Sequence, residues 1–402
     1  MQSFLTDPFS FIANWLESLL LGLGLQPALA TFLLQLLGAL VLGTAMLLLT
    51  FLLIWAERKI VARIQDRLGP NRVGPFGIFQ TVADLLKLVT KELITPTGAD
   101  LIPYNLAPLL AVMSVVGLWA VIPMAPTLLG ADINVGVLYI ISIGAIGTLG
   151  IMLAGMSSNN KYALLGAFRT VAMMVSYTVP LVLALLVPVL LTGSMGMQAI
   201  VEAQSPWAYI FLAPIAALIF FISSVAEVGR APFDLLEAES EIVAGFHIEY
   251  SGLKFGMFFV AEFLHAFTIS ALTATIFLGG WQGPWAEQYT LLGLLYFIIK
   301  TSLVYFVVIW LRGSFPRIRI DQMNAFNWKF ITPLALVSLI FTAVAEKVVV
   351  DFDLPRLLIH LGVNAILIVL IAIALGGYAR YQRAQAEERQ QRVRQKSAPK
   401  AA

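Results

Sequence analysis

The chain has 402 residues, of which 59% are hydrophobic and 12% charged, with a formal net charge of +2 and a mean hydropathy of +0.88. This composition excludes an ordinary soluble globular protein, and the net charge does not indicate a nucleic-acid partner. Cysteine is absent, which excludes disulfides, thiolate zinc sites and cysteine-ligated iron–sulfur clusters. Only three histidines are present, far apart in sequence, and no glycine pattern indicates a nucleotide-binding loop. The sequence therefore predicts no metal site, and any redox chemistry is expected on a partner.

Residues 1–29 form the first predicted unit. The first 26 residues contain no Lys or Arg, so they lack the basic region of a cleavable signal peptide. Large apolar residues such as Phe11 and Trp15 predict a short helix in the membrane interface, leading into the first span.

Several apolar stretches reach the roughly 20 residues that a helix needs to cross a bilayer. Three prolines, Pro180, Pro188 and Pro214, fall inside such stretches and predict kinks, because neighbouring helices can satisfy the carbonyls that they free. The predicted fold is an all-α polytopic membrane protein with about nine transmembrane helices, at 30–55, 104–123, 136–156, 168–191, 207–226, 255–278, 290–311, 330–346 and 357–379.

Basic residues fix the predicted orientation. Of the 25 Lys and Arg, all but Lys300, Lys347 and Arg356 lie around the loops after spans one, three, five and seven or in the tail. By the positive-inside rule the N-terminus is outside and the C-terminus cytoplasmic. The charged tail, 380–402, is expected to be a solvated helix or a disordered extension.

The first inner loop, "ERKIVARIQDRLGPNRVGPFGIFQTVADLLKLVTKE" (57–92), combines basic residues with glycine- and proline-rich turns. Its last part, about 78–92, predicts an amphipathic helix too short to span a bilayer, which should therefore lie in the interface. One interpretation is a surface loop whose basic side chains face lipid. The other is a rigid rim around an opening at the membrane surface, and the pattern leaves both open.

The third inner loop concentrates acidic residues within an apolar context. Arg230 precedes them and is the expected counter-charge. A solvated charged loop is the simple interpretation, but the interleaved Phe233 and Phe246 favour burial. Carboxylates packed so closely should titrate as a coupled set. The acids of this region are Glu227, Asp234, Glu237, Glu239, Glu241 and Glu249.

Two further ionisable residues, Glu262 and Lys300, lie well inside predicted spans. Intramembrane charges are costly and commonly mark ion pathways or proton relays. The resulting hypothesis is a chain of carboxylates that leads from the third inner loop into the helix bundle.

Four stretches resemble one family closely: the first inner loop quoted above, "SSNNKYALLGAFR" (157–169), "AEVGRAPFDLLEAESEIVAGFHIEYSG" (226–252) and "LRGSFPRIRIDQM" (311–323). They are similar to the H subunits of bacterial NADH:quinone oxidoreductase, the respiratory complex I membrane subunit, homologous to mitochondrial NADH dehydrogenase subunit one. The resemblance implies an eight-helix core, 30–346, that frames a quinone tunnel, followed by an additional transmembrane helix, 347–379. It implies quinone as substrate, with flavin and iron–sulfur clusters on partner subunits.

The resemblance also implies partners, location and residue roles. The expected partners are peripheral-arm quinone-site subunits, antiporter-like membrane subunits and membrane lipid, in the cell inner membrane. Quinone-site positions match Arg58, Arg67, Asp84 and Arg230. Proton-coupling positions match Glu227, Asp234, Glu237, Glu239, Glu241, Glu249, Glu262 and Lys300, while Arg169 matches a further charged position.

One position departs from the family pattern. The family usually has Ser-Tyr-Glu on span four, whereas this chain has Ser176, Tyr177 and Thr178. Thr178 cannot hold a charge, although a hydroxyl with bound water could bridge a proton path. Two rival functions stay open: the membrane subunit of a hydrogenase or formate-hydrogenlyase complex, and a stand-alone cation or proton transporter, which inverted repeats would support but the spans do not show.

Overall fold

The computed structural model describes residues 6–234, 245–352 and 354–397. Its regular secondary structure in these ranges is entirely helical, and eight segments are long and apolar enough to cross a membrane. In chain order the helices are α1 (Pro8–Gly22), α2 (Pro27–Ile64), α3 (Gln80–Thr90), α4 (Leu101–Leu118), α5 (Gly136–Ser157), α6 (Lys161–Thr192), α7 (Met197–Glu202), α8 (Tyr209–Leu212), α9 (Pro214–Val228), α10 (Gly252–Phe277), α11 (Thr290–Ser314), α12 (Ile320–Phe326), α13 (Thr332–Phe352) and α14 (Arg356–Ser397).

The eight long segments are α2, α4, α5, α6, α10, α11, α12 with α13, and the first part of α14. Both short amphipathic helices predicted from the sequence are also present, as α1 and α3. The predicted eighth span, 330–346, extends further, since α13 ends at Phe352. The tail continues α14 as a helix to Ser397.

The predicted fifth span, 207–226, is a broken helix. A kink at Pro214 was expected, and this detail is wrong: α8 ends at Leu212, and α9 begins at Pro214 after Ala213 takes φ −139°. Pro214 occupies the first position of α9, where its missing N–H costs no intrahelical hydrogen bond. The 15 residues of α9 extend over about 22 Å, less than the roughly 30 Å hydrocarbon core.

Helix α2 is long enough to leave the membrane. Its 38 residues extend over about 57 Å, so its C-terminal end continues past the bilayer core. That end carries Glu57, Arg58 and the start of the first inner loop.

Helix α10 is the core of the bundle. It packs against α2, α3, α4, α9 and α11, and a larger share of it is buried than of any other described span. Its apolar face is aromatic: Phe267 stacks on Trp119, which directly follows α4, with ring centroids 5.7 Å apart, and meets Tyr305 of α11 edge-on. Side chains on α10 therefore face both the inner loops and the middle of the bundle.

Prolines inside two spans free carbonyls that other parts of the chain then satisfy. Pro180 has no N–H for the carbonyl of Ser176, and the Asn327 side-chain amide donates to that oxygen at 2.6 Å. Pro108 likewise frees the carbonyl of Tyr104, which accepts from the Tyr250 hydroxyl at 3.1 Å. The prediction that neighbouring segments satisfy such groups is confirmed at Pro180.

The π-helical turn Asn327–Ile331, between α12 and α13, presents this amide to α6. Asn327 is fully buried, and its Oδ1 accepts from the Thr332 hydroxyl at 3.2 Å. The neighbouring Tyr177 hydroxyl donates to the Met323 carbonyl at 3.0 Å. Helix α6 is thus held to α12 and α13 next to Thr178.

Helix α14 is attached to the bundle by an ionic group at the end remote from the inner loops. Arg356 lies 2.9 Å from Glu346 and donates to the Leu191 carbonyl at 2.7 Å. The buried His360 Nε2 lies 2.9 Å from Glu346, and Asn364 donates to the carbonyl of Leu212, the last residue of α8. The ninth span is therefore docked on the core by specific polar contacts.

Replacing Asn327 by Ala should lower the free energy of unfolding by about 1–3 kcal/mol, because the Ser176 carbonyl loses its donor in a dry environment. In a Pro180→Ala background residue 180 regains an N–H for that carbonyl, so the same substitution should cost clearly less. Denaturant unfolding of the four proteins in detergent measures this coupling. Asn105→Ala is the control, since its amide bond to Leu101 is exposed and within its own helix; equal costs in both backgrounds would contradict the assignment.

Candidate functional site: a buried charge cluster between three cavities

Glu57 lies where the C-terminal ends of three helices meet. It is on α2 and buried, and it pairs with Arg230, which follows α9, at 2.7 Å. Arg312, in the last turn of α11, donates to the same Oε1, while the Tyr305 hydroxyl donates to Oε2 at 3.2 Å. One carboxylate is therefore shared by two guanidinium groups from different parts of the chain.

Arg230 has further partners that explain its burial. Its side chain is only 2% exposed, and its Nε lies 3.2 Å from Glu262 of α10. Its guanidinium carbon also lies 4.4 Å from the centre of the Phe263 ring. Gly229, at φ +74°, ends α9 in the left-handed conformation that glycine adopts most readily and directs Arg230 back into the bundle.

Arg230 was expected to be the counter-charge of the acidic stretch, and the described residues test this expectation only at Asp234. Its observed partners are Glu57 and Glu262 rather than Asp234. Asp234 is half-buried and follows Phe233, whose ring packs against Tyr177 with centroids 5.4 Å apart. The other three acids of that stretch, Glu237, Glu239 and Glu241, lie outside the described residues.

The first cavity lies beside the first inner loop. It has a volume of about 570 Å³, and its lining residues are Glu57, Arg58, Val61, Ala62, Gln65, Arg67, Leu68, Gly69, Pro70, Phe259, Phe263 and Arg312. Arg58 is held over α3 by Asp84, 2.6 Å away, although both side chains stay partly exposed. Two predicted quinone-site arginines therefore share one cavity wall, and the third, Arg230, contacts Glu57 behind it.

The turn that borders this cavity depends on glycine. Gly77 takes φ +76°, and a Cβ there would lie 2.4 Å from the Pro70 carbonyl oxygen. Lys59 donates to that same oxygen at 2.7 Å, and the Trp55 indole donates to the Phe76 carbonyl at 3.1 Å. The loop is thus bound to α2 and forms a fixed rim, which favours the second of the two sequence interpretations.

A second, small cavity of about 70 Å³ lies deeper in the bundle, beyond Glu262. Its titratable lining residues in the described chain are Glu227, His247, Glu262 and His265. His247 packs among Phe246 and Phe255, and burial lowers its pKa to about 4. It is therefore neutral at ordinary pH and able to accept a hydrogen bond.

A third cavity of about 520 Å³ extends between α5 and α6 and reaches α9 and α10. Most of its wall is apolar, and its polar lining includes Thr148, Thr178, Ser224, Glu227 and His265. Thr178, the departure from the family pattern, therefore lies on the same cavity as Glu227. Its hydroxyl donates to the Met174 carbonyl at 2.9 Å.

Two predicted coupling residues lie apart from this group. Glu249 accepts from the Asn160 amide at 2.7 Å and lines a separate polar cavity. Lys300 donates to the Gln282 carbonyl at 2.8 Å, in the connection between α10 and α11 at the opposite end of the bundle. Among the described residues, the structure brings together Arg58, Arg67, Asp84, Glu227, Arg230 and Glu262, but neither Glu249 nor Lys300.

Sequence reasoning did not assign roles to Glu57, Arg312, His247 or His265. A glutamate at the end of a long apolar span, as at Glu57, is a signal of the kind that identified Glu262. His265 lies three residues after Glu262, the spacing that places both on one helix face. The pairing of Glu57 with Arg312, by contrast, joins positions with no sequence relation.

Comparison with known proteins gives consistent results. The sequence model of the family described as NADH dehydrogenase matches residues 37–343. Relatives named as H subunits of NADH-quinone oxidoreductase include those of Dehalococcoides mccartyi (strain CBDB1), 47% identical over 77% of this chain and 86% of the relative, and Geobacillus kaustophilus, 47% identical over 77% and 93%. The relative from Carboxydothermus hydrogenoformans is 44% identical over 82% of this chain and 93% of its own length.

Replacing Glu57 by Gln should destabilise the protein by about 3–5 kcal/mol, because Arg230 and Arg312 would then face each other without a shared counter-charge. Asp84→Asn is the matched control: it removes a carboxylate from the partly exposed Arg58 pair and should cost at most about 1 kcal/mol. Chemical unfolding of both variants in detergent compares them. Equal losses would contradict the role assigned to Glu57.

Proposed function

The chain belongs to the NADH dehydrogenase family, and we propose that it is the membrane subunit of a proton-translocating NADH:quinone oxidoreductase that helps form the quinone tunnel and couples quinone reduction to proton movement. The observation that carries this proposal is the position of the 570 Å³ cavity directly against the Glu57 charge cluster. A change of charge in the cavity therefore alters the electrostatic energy of the ionic groups that lead into the bundle.

The cavity has the chemistry that a quinone headgroup requires. Its volume falls within the usual range for small-molecule sites, roughly 300–1,000 Å³. Phe259 and Phe263 offer aromatic faces to the ring, while Arg58, Arg67 and Arg312 offer donors to the quinone oxygens. Electrons would come from flavin and iron–sulfur clusters on peripheral-arm subunits, since this chain contains no cysteine to hold a cluster.

The proposed coupling follows from the charge balance. Reduction of a quinone to a quinol takes up protons and electrons in equal number, so each electron that arrives before its proton leaves a negative charge in the cavity. That charge competes with Glu57 for Arg312. Because Arg230 is shared between Glu57 and Glu262, the change also weakens the ion pair between Arg230 and Glu262. Glu262 would then exchange a proton with the second cavity, where His247, His265 and Glu227 are the other titratable groups among the described residues.

The proposed surroundings agree with this role. The enzyme would be assembled in the cell inner membrane, with peripheral-arm quinone-site subunits on the side of the inner loops and antiporter-like membrane subunits alongside the bundle. The N-terminus would be outside and the charged tail cytoplasmic, as the distribution of Lys and Arg predicts. Glu249 and Asn160, at the inner ends of α5, α6 and α10, would face the peripheral arm.

Filling the cavity should weaken quinone binding. Val61→Trp places an indole in the 570 Å³ cavity and should raise the KM for a quinone by about tenfold, equivalent to 1.4 kcal/mol. The purified complex is assayed with NADH and a water-soluble quinone, and with ferricyanide as an acceptor that needs no tunnel. Val82→Trp, on the exposed face of α3, is the control; an unchanged KM in an assembled Val61→Trp complex would contradict the cavity assignment.

Neutralising Glu227 tests the proton path separately. Glu227→Gln keeps the size of a side chain that lines both inner cavities but removes its proton-carrying group. Proton uptake by proteoliposomes containing the whole complex should fall by about tenfold or more, as expected when a positioned proton-transfer group is lost. Ferricyanide reduction should be unaltered, and normal proton uptake in this variant would refute the proton-path part of the proposal.

A further inference from the structure

We infer that His265 is the proton relay between the 70 Å³ cavity at Glu262 and the 520 Å³ cavity that Thr178 lines. This inference rests on the proposed function, because it names the group that carries the proton where the family glutamate is replaced by threonine. Nothing in the sequence pattern of the loops assigns a role to this histidine.

The position of His265 is the first observation. Glu262 and His265 lie three residues apart on α10, so both project from the same face of the most deeply buried helix. Each side chain is partly exposed, in contrast to the fully buried Leu264 next to His265. The α10 face that carries them therefore borders open space rather than packed side chains.

The cavities themselves are the second observation. The 70 Å³ cavity contains Glu262 and His247, and the 520 Å³ cavity contains Thr178 and Ser224. Among the described residues, the only titratable side chains that line both are Glu227 and His265. A proton that passes from the 70 Å³ cavity to the 520 Å³ cavity must therefore use one of these groups or water that bridges the two cavities.

The polar groups of the larger cavity support hydration. Within the described chain nothing forms a hydrogen bond with the hydroxyl of Ser224, although this side chain is only 1% exposed and lines the cavity. Thr178 uses its hydroxyl proton on the Met174 carbonyl, which leaves its oxygen lone pairs as acceptors. Because a water needs only about 10–15 Å³ of such volume, both cavities have room for water molecules that bridge these groups.

Hydroxyl groups and water molecules can pass a proton but cannot hold one. A proton path through both cavities therefore benefits from a titratable group where the 70 Å³ and 520 Å³ cavities meet. Imidazole accepts a proton at one ring nitrogen and releases another from the second nitrogen. The net transfer moves one proton from the 70 Å³ cavity at Glu262 to the 520 Å³ cavity at Thr178 and leaves the opposite neutral tautomer. Rotation of the ring, or the return of a proton, restores the starting tautomer.

A structural histidine is the simple alternative, and the chain itself offers a comparison. His360 is completely buried and fixed by Glu346, 2.9 Å from its Nε2. In the part of the chain that the structure describes, no side chain or carbonyl is hydrogen-bonded to His265, which borders two cavities instead. A histidine that served to fasten helices would have the contacts of His360.

The test uses the whole complex in proteoliposomes, with proton uptake and NADH oxidation measured together. His265→Ala should lower proton-coupled quinone reduction by about tenfold or more, while ferricyanide reduction stays unaltered. Added imidazole should restore a large part of the lost rate, because the 520 Å³ cavity can admit it. Pyrazole has the same ring size but is far too weak a base to carry the proton, and should give no rescue.

Leu272→Ala is the packing control, since Leu272 lies on the same helix and lines the same cavity but carries no proton. It should leave the coupled rate near that of the wild type. Full activity of His265→Ala, or equal rescue by imidazole and pyrazole, would overturn the relay. These outcomes are distinct from failure of the proposed function, which would appear as absent quinone-dependent proton uptake in the wild-type complex or as normal uptake in Glu227→Gln.

Discussion

The structure depends on one buried carboxylate. Glu57 holds Arg230 and Arg312 together at the ends of α2, α9 and α11, and Arg230 in turn reaches Glu262 on the central helix. Fixed charges in an apolar bundle are costly unless they are paired, because isolated ions lose several kcal/mol of hydration. The same four charges stabilise this end of the bundle and connect the cavity at the first inner loop to the interior. Stability and the proposed coupling therefore depend on one set of contacts.

The same requirement for a partner applies to the backbone, whose buried carbonyls need hydrogen-bond donors. Two prolines inside spans free carbonyls, and Asn327 and Tyr250, both distant in sequence, donate to them. At the far end of the bundle Asn364 donates to the carbonyl of Leu212, where α8 stops before Pro214. At these three irregularities a helix is thus also fastened to another part of the chain. Such contacts give an apolar bundle a specific arrangement, although no hydrophobic driving force acts between lipid-facing helices.

Much of the fold could be predicted from the sequence, because hydropathy and length decide which stretches span a membrane. The break at Pro214 could not, since a proline inside an apolar run is compatible with either a kink or a new helix start. Glu262 was found because a charge inside a span is rare, whereas the roles expected of Arg58 and Arg67 came from the resemblance of the first inner loop to the family. The partners of Arg230 were missed because Glu57 and Glu262 lie 173 and 32 positions away in number, and only the packing of α2 against α10 and α11 brings these elements together.

The geometry separates charges that are fixed from groups that can titrate. Glu57 and Glu346 sit at opposite ends of the bundle, each bound by at least one basic partner within about 3 Å, and each fastens helices. Glu227 and His265 lie between these ends, at the walls of two cavities, and neither forms an ion pair with another described residue. A group clamped by a fixed opposite charge changes its protonation at a high cost, whereas a group beside a cavity can exchange a proton with water. On the proposed function, protons therefore move through the middle of the bundle, and the helices are held together at its two ends. Thr178 can replace the family carboxylate because the same cavity already contains the imidazole of His265.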